Sequence, residues 1–294
     1  METSPLEICD ETLDPSALRR YLSLLGVSQR EPSLDALTEL VSAHLTRVSF
    51  ENISKLSYWK RLHLNSVPSF QRFLDGIERY HFGGTCYSNN FHFYVLLECL
   101  GYKVRLCGAD MSVPSVHMVS VVTVDEREYL VDTGYGAPLL SPLPLNLTID
   151  QAIHMGRDRY VLKPKDGAGC SRLELYRDGK LKHGYVVRPH RKELDDFRQV
   201  IADSFEPSAT FLNSILLARF WPGRSLTIHN QTLIDSGPEQ STIQSLQNKG
   251  NPAMRLRTRL IVSAFDHTPA WPFQLPTSVP LNCQMVPPHA RWSL

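Results

Sequence analysis

Apolar residues between positions 12 and 100 recur with a helical period. In "DPSALRRYLSLLG", Leu18, Tyr21, Leu22 and Leu25 fall at i, i+3, i+4 and i+7, one face of a helix. Asp14 stands where an N-cap belongs, Pro15 at the first helical position and Gly26 at the stop. "SLDALTELVSAHL" repeats the pattern with Ser33 as its cap, and "SVPSFQRFLDGIER" gives a third helix. Asn89–Leu100 is apolar on nearly every side, which predicts a buried helix ending at Gly101. From Lys103 the period shortens. "KVRLCGADM", "HMVSVVTV", "REYLVDTGYG", "DRYVLKP", "RLELYRDGKLKHGYVVRP" and "RSLTIHNQTLID" read as strands, with turns at Asp178-Gly179 and near His229-Asn230. In "MRLRTRL" Arg255, Arg257 and Arg259 alternate with mostly apolar residues, the wet face of a half-buried strand. The tail from Asp266 carries repeated prolines and is expected to run extended. The pattern divides the chain into a helical unit over residues 1–102, a β-rich unit over 103–205 and a mixed unit over 206–294.

Bulk properties narrow the class. With 294 residues, 42% hydrophobic and 21% charged, the chain suits an ordinary globular protein with a sizeable core. A net charge of +1 offers no electrostatic footprint for nucleic acid. No apolar run approaches the ~20 residues of a membrane span. The opening "METSPLEICDETLDPS" is acidic and polar, unlike a signal peptide. Six irregularly spaced cysteines do not form a disulfide framework, and no Cys/His spacing suits a structural zinc. These features lead us to expect a cytoplasmic protein with reduced thiols and no metal. The oligomeric state is not legible.

"GGTCYSNN" changes the picture. Cys86 sits where a glycine turn opens onto the buried helix. The unpaired N–H groups and the dipole of a helix N-terminus favour thiolate over thiol. Gly83 and Gly84 leave room for close approach to the sulfur, and Thr85 or Ser88 could cap the helix. A cysteine nucleophile also needs a base, and the base an orienting group. His117 opens one strand and Asp132 ends the next. With a two-residue turn at Asp125-Glu126, Val119 pairs with Asp132. His117 and Asp132 are then diagonal neighbours on one face, roughly 7–8 Å apart at the backbone. A three-residue turn would place them on opposite faces unless a bulge intervened. Cys99 and Cys107 read as core, His92 as a satisfied structural histidine, and "RPHRK" (188–192) as a solvated turn that could alternatively meet phosphates.

At these residues the sequence resembles the arylamine N-acetyltransferase family. "HLTRVSFENI" looks like that family's H…PFENL stretch and "GGTCYSNN" like its RGGxCxExN nucleophile loop. "HMVSVV" and "YLVDTGYG" look like its histidine strand and DxGFG segment, with "YVVRPHRKELDDFRQV" and "EPSATF" following. The likeness is strong from Phe50 to Gly136 and covers about residues 12 to 235. It implies an α+β fold: an N-terminal helical bundle, a central β-barrel-like domain and a C-terminal mixed α/β lid around a Cys-His-Asp core. It implies a ping-pong transfer from acetyl-CoA or another acyl-CoA, a co-substrate and not a bound cofactor, to an aromatic amine or hydrazine. By position Cys86 is the nucleophile, His117 the base and Asp132 the orienter. Gly134, Gly136 and Ser208 would lie near coenzyme A. Tyr135 and Phe50 would line the substrate pocket, and Asn90 would fix the loop.

Two departures bear on the loop. The family's arginine before the two glycines is Phe82, and its Glu after the nucleophile is Ser88. An arginine could pair with an acid such as Glu51; Phe82 cannot, so the loop needs other support. The connection "MSVPS" before His117 is also short for the family. Two further readings stay open here. A thiol hydrolase or transglutaminase uses the same three residue types, and a homologue without activity would serve as a binding module.

Overall fold

The side chain of Asp14 accepts the Ser16 N–H at 3.0 Å and opens the first helix of the computed structural model, which describes residues 14–246. That helix, α1 (Pro15–Leu25), stops at Gly26, whose φ of 63° is left-handed. Ser33 caps α2 (Leu34–Arg47) through the Ala36 N–H at 3.2 Å. Two elements that the hydrophobic pattern does not mark come next, β1 (Phe50–Glu51) and α3 (Ile53–Leu62). The reason is plain for α3: its buried residues are Ser54 and Lys55, not an apolar stripe. Helices α4 (Phe70–Tyr80) and α5 (Cys86–Cys99) complete the helical part. The expected cap of α5 is only half present. Thr85 occupies the N-cap position, but its side chain makes no capping bond.

Eight strands follow, β2 (Lys103–Asp110), β3 (His117–Val124), β4 (Arg127–Val131), β5 (Leu143–Pro144), β6 (Gln151–Met155), β7 (Asp158–Leu162), β8 (Ser171–Arg177) and β9 (Lys180–Arg191). They form one antiparallel sheet, β5-β4-β3-β2-β9-β8-β7-β6, curled into a half-barrel. After a 3-10 turn over 194–197 and α6 (Arg198–Asp203), the chain forms a meander of β10 (Leu216–Trp221), β11 (Arg224–His229), β12 (Thr232–Ser236) and β13 (Ser241–Ser245). β1 pairs with β10, so this second sheet runs β1-β10-β11-β12-β13. "MRLRTRL", the proline-rich tail and the remainder of the expected lid lie outside the described residues. "RPHRK" ends strand β9 and is not a turn; its Arg188 pairs with Asp110 at 2.6 Å.

The middle of the half-barrel, strand β3 above all, is buried on both faces, with helices on one side and the curled sheet on the other. Met118, Val122, Tyr129 and Val131 join the core formed with α1, α2, α4 and α5. Val119, Val121 and Leu130 join a second core inside the curl, with Tyr135, Tyr160 and Tyr185. Alternation along β3 therefore sends odd-numbered residues inward, and His117 shares that side. Among the described residues no helix is long and apolar enough to cross a membrane.

Candidate active site

The turn joining β3 to β4 has two residues. Asp125 and Glu126 both take positive φ, 47° and 60°, as a tight twisted hairpin requires. Val124 therefore pairs with Arg127 and Ser120 with Val131, the register that carries His117 and Asp132 to one side of the sheet. The His117 Nε2 and the Asp132 Oδ2 are 2.8 Å apart, both groups buried.

Asp132 accepts four hydrogen bonds. Oδ2 takes His117 and the Tyr185 hydroxyl at 2.7 Å; Oδ1 takes the Asn90 side-chain amide at 2.8 Å and the Gly134 N–H at 3.0 Å. Burial works against its charge and is the largest effect. The His117 charge and these bonds outweigh it, and the carboxyl is held below its ordinary value. His117 is displaced the other way. Burial again disfavours the charged ring, but the Asp132 carboxylate, its hydrogen bond and the Cys86 sulfur together raise the imidazole to about 10. The two nitrogens have separate tasks: Nε2 is held by Asp132, which leaves Nδ1 for the sulfur.

Cys86 is the first residue of α5 and keeps 8% of its surface exposed. The glycines before it serve a purpose the sequence reading did not assign. A Cβ on Gly83 would stand 1.9 Å from the Ser49 carbonyl oxygen, and one on Gly84 2.5 Å from the Ser88 Cβ. They let the loop lie against its neighbours; the space is not left for substrate. With Phe82 in place of arginine, the loop is held by Glu51. Its Oε1 accepts the Gly83 N–H at 3.0 Å, and its Oε2 accepts the Ser54 N–H at 2.9 Å in the first turn of α3. Phe82 instead packs edge-on to Tyr58, with ring centres 6.0 Å apart. Asn89 adds a bond to the Gly84 carbonyl at 2.9 Å.

Asn90 binds the Met118 carbonyl, Asp132 and the Thr133 N–H together, and so fastens the helix of the cysteine to both strands of the hairpin. His92 stacks on Phe73 at 4.2 Å and meets the Ser88 and Pro68 carbonyls, a structural histidine. Tyr135 packs beside His117 with ring centres 5.9 Å apart, and its hydroxyl meets His183 Nδ1 at 3.0 Å. A Cβ on Gly134 would lie 2.7 Å from the Cys86 Cα; one on Gly136 would lie 2.9 Å from the Phe50 ring. The clearance at both glycines is thus filled from within the protein. Phe50 is buried against Phe211, and Ser208 lies in an exposed turn.

A small open cleft lies beside Cys86, lined by Thr85, Tyr87 and Ser88 next to it and by Lys55, Tyr58 and Phe205. Tyr185 and Lys55 are the two site residues that sequence reasoning missed. Tyr185 comes from a strand whose register is not readable locally, and Lys55 from a helix with no apolar stripe.

A family model described as N-acetyltransferase matches residues 33–262. The pineal gland isozyme NAT-3 of arylamine N-acetyltransferase from Gallus gallus is 32% identical over 233 residues, 76% of this chain and 74% of its own length. Arylamine N-acetyltransferase 1 of Mus musculus is 28% identical over 200 residues, 65% of this chain and 67% of its own. The arylamine N-acetyltransferase structure from Salmonella typhimurium superposes with a TM-score of 0.70 at 21% identity, over 85% of this chain and 90% of that one. The Mycobacterium marinum enzyme in complex with CoA gives 0.67 at 23% identity, over 85% and 94%. The chain belongs to the arylamine N-acetyltransferase family.

Proposed function

We propose that Cys86, His117 and Asp132 carry out the family's reaction in this chain: acetyl-CoA-dependent acetylation of an arylamine or hydrazine nitrogen through a cysteine thioester. The activity class follows from family membership. The observation that supports the residue assignment is the 2.8 Å bond between His117 and Asp132 beside a sulfur at a helix N-terminus.

With its imidazole raised to about 10, His117 is basic enough to take the proton of the Cys86 thiol. The sulfur gives that proton to the ring as it attacks the acyl carbonyl. As the tetrahedral adduct collapses, the S–C bond to coenzyme A breaks and the imidazolium gives its proton to the departing thiolate. In the second half the amine attacks the enzyme thioester. His117, now neutral, takes the amine proton, and the Cys86 thiolate leaves as the amide forms. Asp132 holds the ring in one tautomer and stabilises its cation. The Gly83 and Gly84 N–H groups are engaged by Glu51 and Ser49. The donors left for the oxyanion are the first-turn N–H groups of α5. Tyr135 and Phe50 border this region, and Ser208 is three residues past Phe205 of the cleft, within range of a long coenzyme. The described cysteines are free, which suits a reducing cytoplasmic setting.

The test is intact mass after incubation with acetyl-CoA. The expected result is one acetyl adduct, absent in Cys86→Ala and discharged by an added arylamine. No adduct, or peptide cleavage without one, overturns the reading.

A further inference from the structure

Among the described residues, Lys55 is a buried cation with no carboxylate paired to it. Only 8% of the residue is exposed. Its Nζ donates to the Ser204 hydroxyl at 2.6 Å and lies 4.0 Å over the Phe205 ring. The Ser204 hydroxyl is itself committed to the Ile201 carbonyl. An ammonium has three donors, so two remain. Among the described residues no carboxylate forms an ion pair with it; the one charge acting on it is that of the Cys86 sulfur. Burial lowers Lys55 to about 8, the sulfur opposing, so most of the charge survives at neutral pH. A buried charge left this incompletely satisfied is unfavourable unless something else completes it, and a cation over a phenyl face recovers only part. The group lines the same cleft as Thr85, Tyr87 and Ser88 around the nucleophile.

We propose that Lys55 recognises a carboxylate carried by one of the two reactants, either the acyl group of the donor thioester or the acceptor amine. This rests on the reading of Cys86 as the nucleophile of the cleft. The chemistry of recognition is the same from either source: an ammonium donating to a carboxylate in a desolvated pocket, with Phe205 and Tyr58 as apolar walls. A neutral acetyl group and a neutral arylamine leave the ammonium as it is in the free protein.

Four pairings separate the sources: acetyl-CoA or succinyl-CoA as donor, aniline or 4-aminobenzoate as acceptor, with wild type and Lys55→Met. A charge-assisted contact predicts about a tenfold or greater kcat/KM advantage for one anionic reactant over its neutral counterpart, abolished in Lys55→Met. The acetyl-CoA and aniline pairing is the reference: any effect of Lys55→Met exerted through the Cys86 sulfur falls on all four pairings alike, and the anionic advantage is read as a ratio to it. An advantage for succinyl-CoA assigns the carboxylate to the acyl group; one for 4-aminobenzoate assigns it to the amine. No advantage for either, or an equal fall in all four pairings, overturns the proposal.

A second readout needs no transferase activity. Iodoacetate and iodoacetamide alkylate Cys86 at rates whose ratio reports the field of the cleft. Lys55→Met should lower the iodoacetate-to-iodoacetamide ratio by about tenfold, the loss of one charge-assisted contact. Equal slowing of both reagents would mean that Lys55 acts on the thiol and not on the incoming anion. A missing acetyl adduct with a lowered ratio would sink the transferase assignment alone; an adduct with an unchanged ratio would sink Lys55 alone.

Discussion

Asp132 accepts four hydrogen bonds, and its surroundings explain why a bare carboxylate can stay charged in the interior. Two donors on each oxygen do the work that water would do outside. Asp132→Asn keeps the size but turns one oxygen into a donor facing donors. It should lower the acylation rate by about a thousandfold or more, as loss of the orienting group does in related triads, measured by stopped-flow release of coenzyme A. Tyr185→Phe removes one bond to the carboxylate and leaves the ring packed. The expected loss is roughly tenfold in kcat/KM, the size of one hydrogen bond to a charged group, measured by steady-state kinetics. Gly134 gives a steric test. An added methyl group would press on the Cys86 Cα, a backbone atom that cannot step aside cheaply. Gly134→Ala should cost about 1–3 kcal/mol of stability, read as a lower urea midpoint, and should slow alkylation of Cys86.

Between elements, the site is the meeting of one helix end with one hairpin. Part of that was legible. The sequence left the length of the turn open; the two-residue turn found at Asp125-Glu126 is the alternative that puts His117 and Asp132 on one side. The place of Cys86 at a helix start was legible from glycines followed by an apolar run; its role came only with the family resemblance. What stayed hidden depends on pairings between distant segments. Tyr185 reaches Asp132 because β9 crosses β2 with a register shift between Cys107 and Ala109, and nothing within β9 announces that shift. Nothing near Lys55 in the sequence announces that its ammonium reaches Ser204, 149 positions later and just past α6, and the ring of Phe205. The glycines were recognised but misassigned, since a sequence does not say which neighbour fills the space at Cβ. Asn90 joins the two elements directly. Asn90→Ala should therefore loosen the hairpin and the helix end together. Amide exchange should rise at Thr133 and across the first turn of α5, a joint response that loss of a merely local bond would not produce.

Across the molecule, three buried histidines impose opposite pH dependences: His44 and His92, lowered by burial to about 3 and about 4, act on the acid side and His117 on the alkaline side. His44 is sealed beneath the nucleophile loop with Nδ1 on the Tyr21 hydroxyl at 2.9 Å; burial first, and then His92, lowers it to about 3. The unfolded chain binds its proton near 6.5, so this group favours folding above that pH and withdraws support as pH falls toward 3. The slope is about 1 kcal/mol per pH unit. His117, raised to about 10, favours folding below about 6.5 and loses that contribution as pH rises through 10. Urea midpoints measured across pH should therefore fall on both sides of neutrality, and His44→Gln should flatten the acid side alone.

The two-residue strand β1 has a longer reach than its length suggests. Phe50 is bridged to Gly84 on one side and paired with Ala218 on the other, and Asn52 just beyond it bonds the Phe211 and Ser214 carbonyls. The residues immediately before Cys86 are thus stitched to a sheet formed more than a hundred positions later. The loop before Cys86 therefore gains its full set of backbone bonds only when that late meander has closed. A chain still emerging during synthesis would accordingly carry Cys86, His117 and Asp132 in full while the strand that β1 pairs with has yet to be made.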